Sequence, residues 1–137
     1  MREFVFDLVY EETAGPLQQL LTDATGVSST AIGGCIDAKE FWRLERFEGD
    51  EDGVDNLTNA GQRELLAVEQ ITPAGCEGAV HREVLKQTDA GCELYYHLRD
   101  IGNCESVPTL AVEYIDPDVL FELKRSQNRE TWTVMME

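Results

Sequence analysis

Apolar residues at every second position recur along this 137-residue chain and commit it to a strand-rich fold. Phe4, Phe6, Leu8 and Tyr10 alternate with Glu3, Val5, Asp7 and Val9. Leu94, Tyr96 and Leu98 alternate with Glu93, Tyr95 and His97, and follow a run from His81 to Thr88 across the turn residues Asp89-Ala90-Gly91. A last pair, Val119 to Arg125 and Thr131 to Met136, flanks Ser126-Gln127-Asn128. Successive strand side chains point to opposite faces, so each run has one apolar side to bury. Two more strands are expected over 30–37 and 41–47, the second with Trp42 and Leu44 on one face, and another over 66–72.

Helices interrupt the strands at few places. Leu17, Leu20, Leu21 and Ala24, after Gly15-Pro16, make an apolar stripe at helical spacing. A weaker pattern runs through Val54, Leu57, Gly61 and Leu65. Ser106-Val107-Pro108 has the form of a helix start, with Ser106 as N-cap and Leu110, Ala111 and Tyr114 on its apolar side. The order predicts an α+β fold: a mostly antiparallel sheet with helices on one face, ferredoxin-like or related, readable as two βαββ-type halves. Residues 1–137 form a single domain in this reading, with a sub-boundary near 74–80 in the small-residue run Ala74 to Ala79. Trp132 to Met136 is a well-patterned strand at the chain's end, which suggests a truncated product or a completing element from another chain, such as a homodimer partner.

Charge narrows the function classes. Acids number 27 and bases 11, for a formal net charge of -16, and lysine appears only at 39, 86 and 124. The regular apolar pattern rules against disorder, so the acidity belongs to a folded surface. A folded, acidic, lysine-poor surface suits a salt-saturated cytoplasm, where the Debye length falls to about 3 Å at 1 M and carboxylates keep the protein hydrated. The same charge excludes direct contact with a nucleic-acid backbone, which needs a cationic patch. The densest basic stretch, Lys124-Arg125 with Arg129, is flanked by Glu122 and Glu130. No apolar run reaches the roughly 18 residues of a membrane span. The acidic, alternating start is not a signal peptide, so the expected location is the cytoplasm.

No motif places catalytic groups. Gly33-Gly34 lacks the spacing of a phosphate-cradling loop, and there is no GxSxG, HExxH or CxxC. The chain is therefore read as a non-enzyme, with a small acid–base enzyme as the third choice. One cluster has metal-ligand chemistry: Cys76, His81, Cys92, His97 and Cys104, whose thiolates and imidazoles suit zinc or copper(I). Cys92 and His97 differ by an odd number, so a regular strand would set them on opposite faces. The expected state is no cofactor, with cysteines reduced. Trp42 with Arg43, and Ser106 at a helix N-terminus, are the places where polar groups could line an effector pocket.

Several stretches resemble one family. Residues 1–6 with Tyr10, the run Phe41-Trp42-Arg43-Leu44-Glu45-Arg46, the run from Cys104 to Ala111, and Leu120-Phe121-Glu122 with Trp132 are similar to the amino-terminal region of haloarchaeal regulators of the bacterio-opsin activator type. The resemblance implies a regulatory, effector-sensing domain that precedes a DNA-binding helix-turn-helix, which these residues do not include. Its effector or protein partner is unspecified, and DNA would be reached only through the missing part. Segment 58–79 departs from the family pattern and keeps one cysteine, Cys76. A metal or thiol redox sensor is the alternative reading.

Overall fold

The computed structural model describes residues 2–9, 26–37, 39–56, 59, 77–102, 106–115 and 118–136. Its strands are β1 (Arg2–Val9), β2 (Ser28–Asp37), β3 (Glu40–Glu48), β4 (Glu77–Thr88), β5 (Gly91–Gly102), β6 (Leu120–Ser126) and β7 (Arg129–Met136). They form one seven-stranded sheet in the order β1-β7-β6-β2-β3-β5-β4, and every adjacent pair is antiparallel. Residues 51–56 are helical, and helix α1 (Val107–Tyr114) links β5 to β6.

The expected antiparallel sheet is present, and it fits an α+β or mainly-β fold; the order of its strands does not establish the ferredoxin-like arrangement or the two βαββ-type halves. β6 and β7 lie between β1 and β2, so strands from either side of the expected 74–80 boundary interleave in a single sheet. β4 begins at Glu77, so the later part of the predicted small-residue loop is strand. The helix expected over 17–24 and the strand over 66–72 fall outside the described residues.

Local chemistry accounts for the joints. The β4–β5 turn spans Asp89 and Ala90. The β6–β7 turn spans Gln127 and Asn128, with Gln127 in the left-handed region at φ 54°, the sign that tight hairpins favour. α1 starts as predicted: Ser106 Oγ accepts from the Thr109 backbone, and Thr109 Oγ1 accepts from the Ser106 backbone, closing a capping box. The helix buries Val107, Pro108, Ala111 and Val112. The Cys35 backbone N–H donates to Val119 at 2.9 Å, tying β2 to the segment after α1.

One face of the sheet is buried. It carries Ala31 from β2, Phe41 and Phe47 from β3, Leu94 and Leu98 from β5, Phe121 and Leu123 from β6, and Trp132 and Val134 from β7. Phe121 stands edge-on to Phe41 and tilted against Trp132, at centroid separations of 6.3 and 5.6 Å. Gly33-Gly34 has a packing reason. A Cβ on Gly33 would lie 2.5 Å from both the Phe121 ring and the Trp42 carbonyl, and one on Gly34 would lie 3.0 Å from Leu120 and the Trp42 indole. The pair lets large side chains close over β2 from both sides.

The predicted apolar side of β1 is in register with the buried face, Phe4 opposite Val134 and Phe6 opposite Trp132. β1 is the outermost strand, and Phe4 stays 56% exposed.

Candidate functional site

The centre of the buried face is charged. Arg43 and Glu45 of β3, Arg125 of β6 and Glu130 of β7 are all essentially inaccessible, as is Ser29 of β2. Strand periodicity puts them there. Arg43 and Glu45 lie between Phe41 and Phe47 on the same side of β3, and pairing sets Arg125 opposite both Ser29 and Glu130, and Arg43 opposite Tyr96. Glu45 is the hub. Its Oε2 accepts from Ser29 Oγ at 2.6 Å and from Arg125 Nη2, and its Oε1 accepts from Arg43 Nη2 at 3.2 Å. Arg125 Nη1 lies 3.8 Å from Glu130 Oε2, and Glu130 Oε1 accepts from the Trp132 indole at 3.4 Å. The Arg43 guanidinium sits over the Tyr96 ring, 5.2 Å from its centroid, a stacked cation–π contact.

Two cations and two carboxylates in this cluster sum to zero, which is how an apolar interior tolerates them. Burial alone would raise the Glu45 carboxyl, but Arg125, Arg43 and the hydrogen bonds from Ser29 and Arg125 outweigh it, so Glu45 is held below the usual carboxylate range. Burial works against the Arg125 charge, yet Glu45 and Glu130 hold its guanidinium above its ordinary value. Arg43 goes the other way: burial lowers it further than Glu45 restores it. Burial, then the Glu45 charge, also push the Tyr96 hydroxyl up. Among the described residues, the Tyr96 hydroxyl and Arg125 Nε have no hydrogen-bond partner. Such groups mark a place that a buried water or a small polar molecule would complete.

The residues singled out from sequence are dispersed. Trp42 and Arg43 are neighbours on β3 and face opposite sides: Arg43 joins the buried cluster, while Trp42 lies on the outward face, paired in register with His97. Ser106 is buried and its hydroxyl is engaged in capping α1. Cys76 and Cys104 fall outside the described residues. Cys92 is buried on the same side of β5 as Leu94 and Tyr96, so the odd spacing separates it from His97 as expected. The two histidines do meet in register, His81 of β4 opposite His97 of β5. His97 Nε2 lies 2.5 Å from Glu40 Oε2 and His81 Nε2 lies 3.6 Å from Glu83 Oε2. Among the described residues, no group of three or more His, Cys, Asp or Glu side chains is arranged to hold a metal ion. Cys35, not singled out from sequence, lies near α1 with its Sγ 3.8 Å from the Pro108 carbonyl. Burial pushes its thiol up to about 12, which suits a structural thiol better than a reactive one.

Sequence reading missed Glu45, Arg125, Glu130, Ser29 and Tyr96 as a group. One local signal was present: Arg43 and Glu45 occupy the alternate positions between Phe41 and Phe47, the phase that the flanking aromatics mark as inward.

This geometry defines the class: a mostly antiparallel, single-sheet domain with a neutral ionic cluster at the heart of its core. The chain belongs to a haloarchaeal-named family of amino-terminal domains, whose model, described as HVO_2928_N, N-terminal, matches residues 3–137. No curated protein and no solved structure matches the chain significantly. Among the described residues, no helix is long and apolar enough to cross a membrane.

Proposed function

We propose that this domain is the effector-sensing part of a haloarchaeal transcription regulator of the bacterio-opsin activator type, acting in the cytoplasm without catalysis of its own. In this reading it controls a helix-turn-helix segment carried elsewhere in the parent protein. The observation that carries it is the cluster around Glu45. A buried ionic network is a poor way to gain stability, so its presence at the centre of the core is best understood if the network does something else. It ties β2, β3, β6 and β7 through side-chain contacts, so a ligand that satisfied Tyr96 or Arg125 differently would favour another arrangement of the sheet, if the domain has one. The amino-terminal family and a net charge of -16 agree with a domain that leaves DNA contact to another segment.

The test is made on the natural gene product. The parent protein is expected to occupy a defined set of promoters through sequence outside residues 1–137, and native mass spectrometry of the domain from its host is expected to show a retained small molecule. A gene product with no DNA-binding segment would overturn the reading. The alternative reading is metal sensing: the chain's two histidines are cross-strand partners with Glu40 beside one of them, although these side chains form no group of three arranged around an ion among the described residues. Elemental analysis of protein purified without chelator decides it, stoichiometric zinc or copper supporting it and its absence ending it.

A further inference from the structure

At the end of the sheet where β6 turns into β7, strands β2, β6 and β7 surround a depression of about 540 Å³. Two cross-strand rows line it. Ser28 stands opposite Ser126, which stands opposite Arg129, and Thr30 stands opposite Lys124, which stands opposite Thr131. No Asp or Glu lines it, in a chain whose acids outnumber its bases 27 to 11. Of the acids beside the densest basic stretch, Glu130 is buried with Arg125, while Glu122 shares the open face and makes a loose 3.5 Å pair with the exposed Lys124, with which an incoming anion would compete. Asp7 reaches the rim, 2.7 Å from Thr131 Oγ1 and 3.5 Å from Arg129 Nη1.

We infer that this depression is an anion site for a small molecule bearing a phosphoryl group. An ammonium, a guanidinium and hydroxyl donors match a group with several acceptor oxygens. The match matters at high salt, because a screened surface charge does not by itself distinguish phosphate from chloride, whereas directional hydrogen bonds do. The depression holds more than a phosphate, leaving room for an organic body. Ser29 and Arg125 belong to the same strand segments, but their side chains point to the other, buried face, where both contact Glu45, so the site and the buried cluster lie back to back on β2 and β6. The inference stands apart from the regulator reading, since it is tested on the domain alone.

The experiment is an amide-shift titration of the domain at fixed potassium chloride, with inorganic phosphate and glycerol 3-phosphate as separate probes. Saturable shifts confined to residues 28–30 and 124–131 are expected, with glycerol 3-phosphate the tighter probe. The double variant Lys124→Gln/Arg129→Gln is expected to weaken binding at least tenfold, and Thr30→Val a few-fold, with the rest of the spectrum unchanged. Equal affinity for the two probes would overturn the phosphorylated-molecule assignment in favour of a bare-anion site. Shifts that do not saturate, or that survive the double variant, would mean adventitious binding only and remove the site. Either failure leaves the promoter experiment untouched.

Discussion

The two faces of β3 invert the ordinary rule of polarity. On the buried side, Arg43 and Glu45 sit between Phe41 and Phe47 with no measurable access to solvent at either charge. On the outward side, Trp42 and Leu44 are only half-buried, and the neighbouring Ile32 of β2 and Leu120 of β6 are 46% and 47% exposed. The outward face also carries solvent-exposed ion pairs, such as Arg46 with Glu93. The difference teaches that burial here is set by position in the sheet, and that charge is admitted to the interior only as a self-neutralising group. An ion pair at the surface contributes about 0–1 kcal/mol, while breaking one inside leaves an uncompensated charge.

The largest test of that contrast is Arg125→Met. It strips Glu45 of a direct partner and should destabilise the domain by about 3–5 kcal/mol in urea unfolding. The loss should persist from low to high potassium chloride, because buried pairs are screened little. A loss under 1 kcal/mol would mean that the cluster is wetter than its burial implies. Leu123→Ala, in the apolar part of the same face, should cost about 2–5 kcal/mol as a cavity forms. If it costs much less, the buried face is loosely filled and the comparison loses its apolar half.

Acid should single out the charged half. Glu45 is held below its unfolded value in the native state. Its contribution is therefore fully present above the ordinary glutamate value of about 4.3, and is lost as pH falls below that, through the native value. The stability of Glu45→Gln should fall less steeply over that window than that of the parent chain. Parallel curves would show that other carboxylates govern acid unfolding. The smallest effect is expected outside: Ile32→Thr, on the open face, should change stability by no more than about 0.5 kcal/mol. A larger loss, or a change in native mass, would reveal that the open face is covered by another molecule in solution.

The strands were largely legible in the sequence because alternation is a local property. β7 follows it residue by residue and β5 as far as Leu98, and α1 was announced by Ser106 and Pro108. Which side of a strand is covered is not local. Trp42 and Leu44 gave β3 an apolar side by composition, yet the inward side is the one with Arg43 and Glu45. The decision lies with residues far along the chain: Arg125, which neutralises Glu45, is 80 positions away. For the same reason the candidate site was only partly visible. Arg43 was picked out, but its place follows from β2, β6 and β7 arriving beside β3, an order that pattern alone does not contain. The histidine pairing was hidden similarly, since it depends on the β4–β5 register.

The seam between β1 and β7 has a temporal consequence. Arg2 lies opposite Met136 and Val9 opposite Arg129, and among the described residues β1, at the sheet's edge, has no other strand neighbour. On a ribosome, β1 is made before the other described strands, and its partner β7 is made last of them. Its ladder closes a loop of well over a hundred residues, a contact of the kind that slows folding. The opening strand thus travels through translation as a greasy, unseated ribbon and is stitched in at the finish.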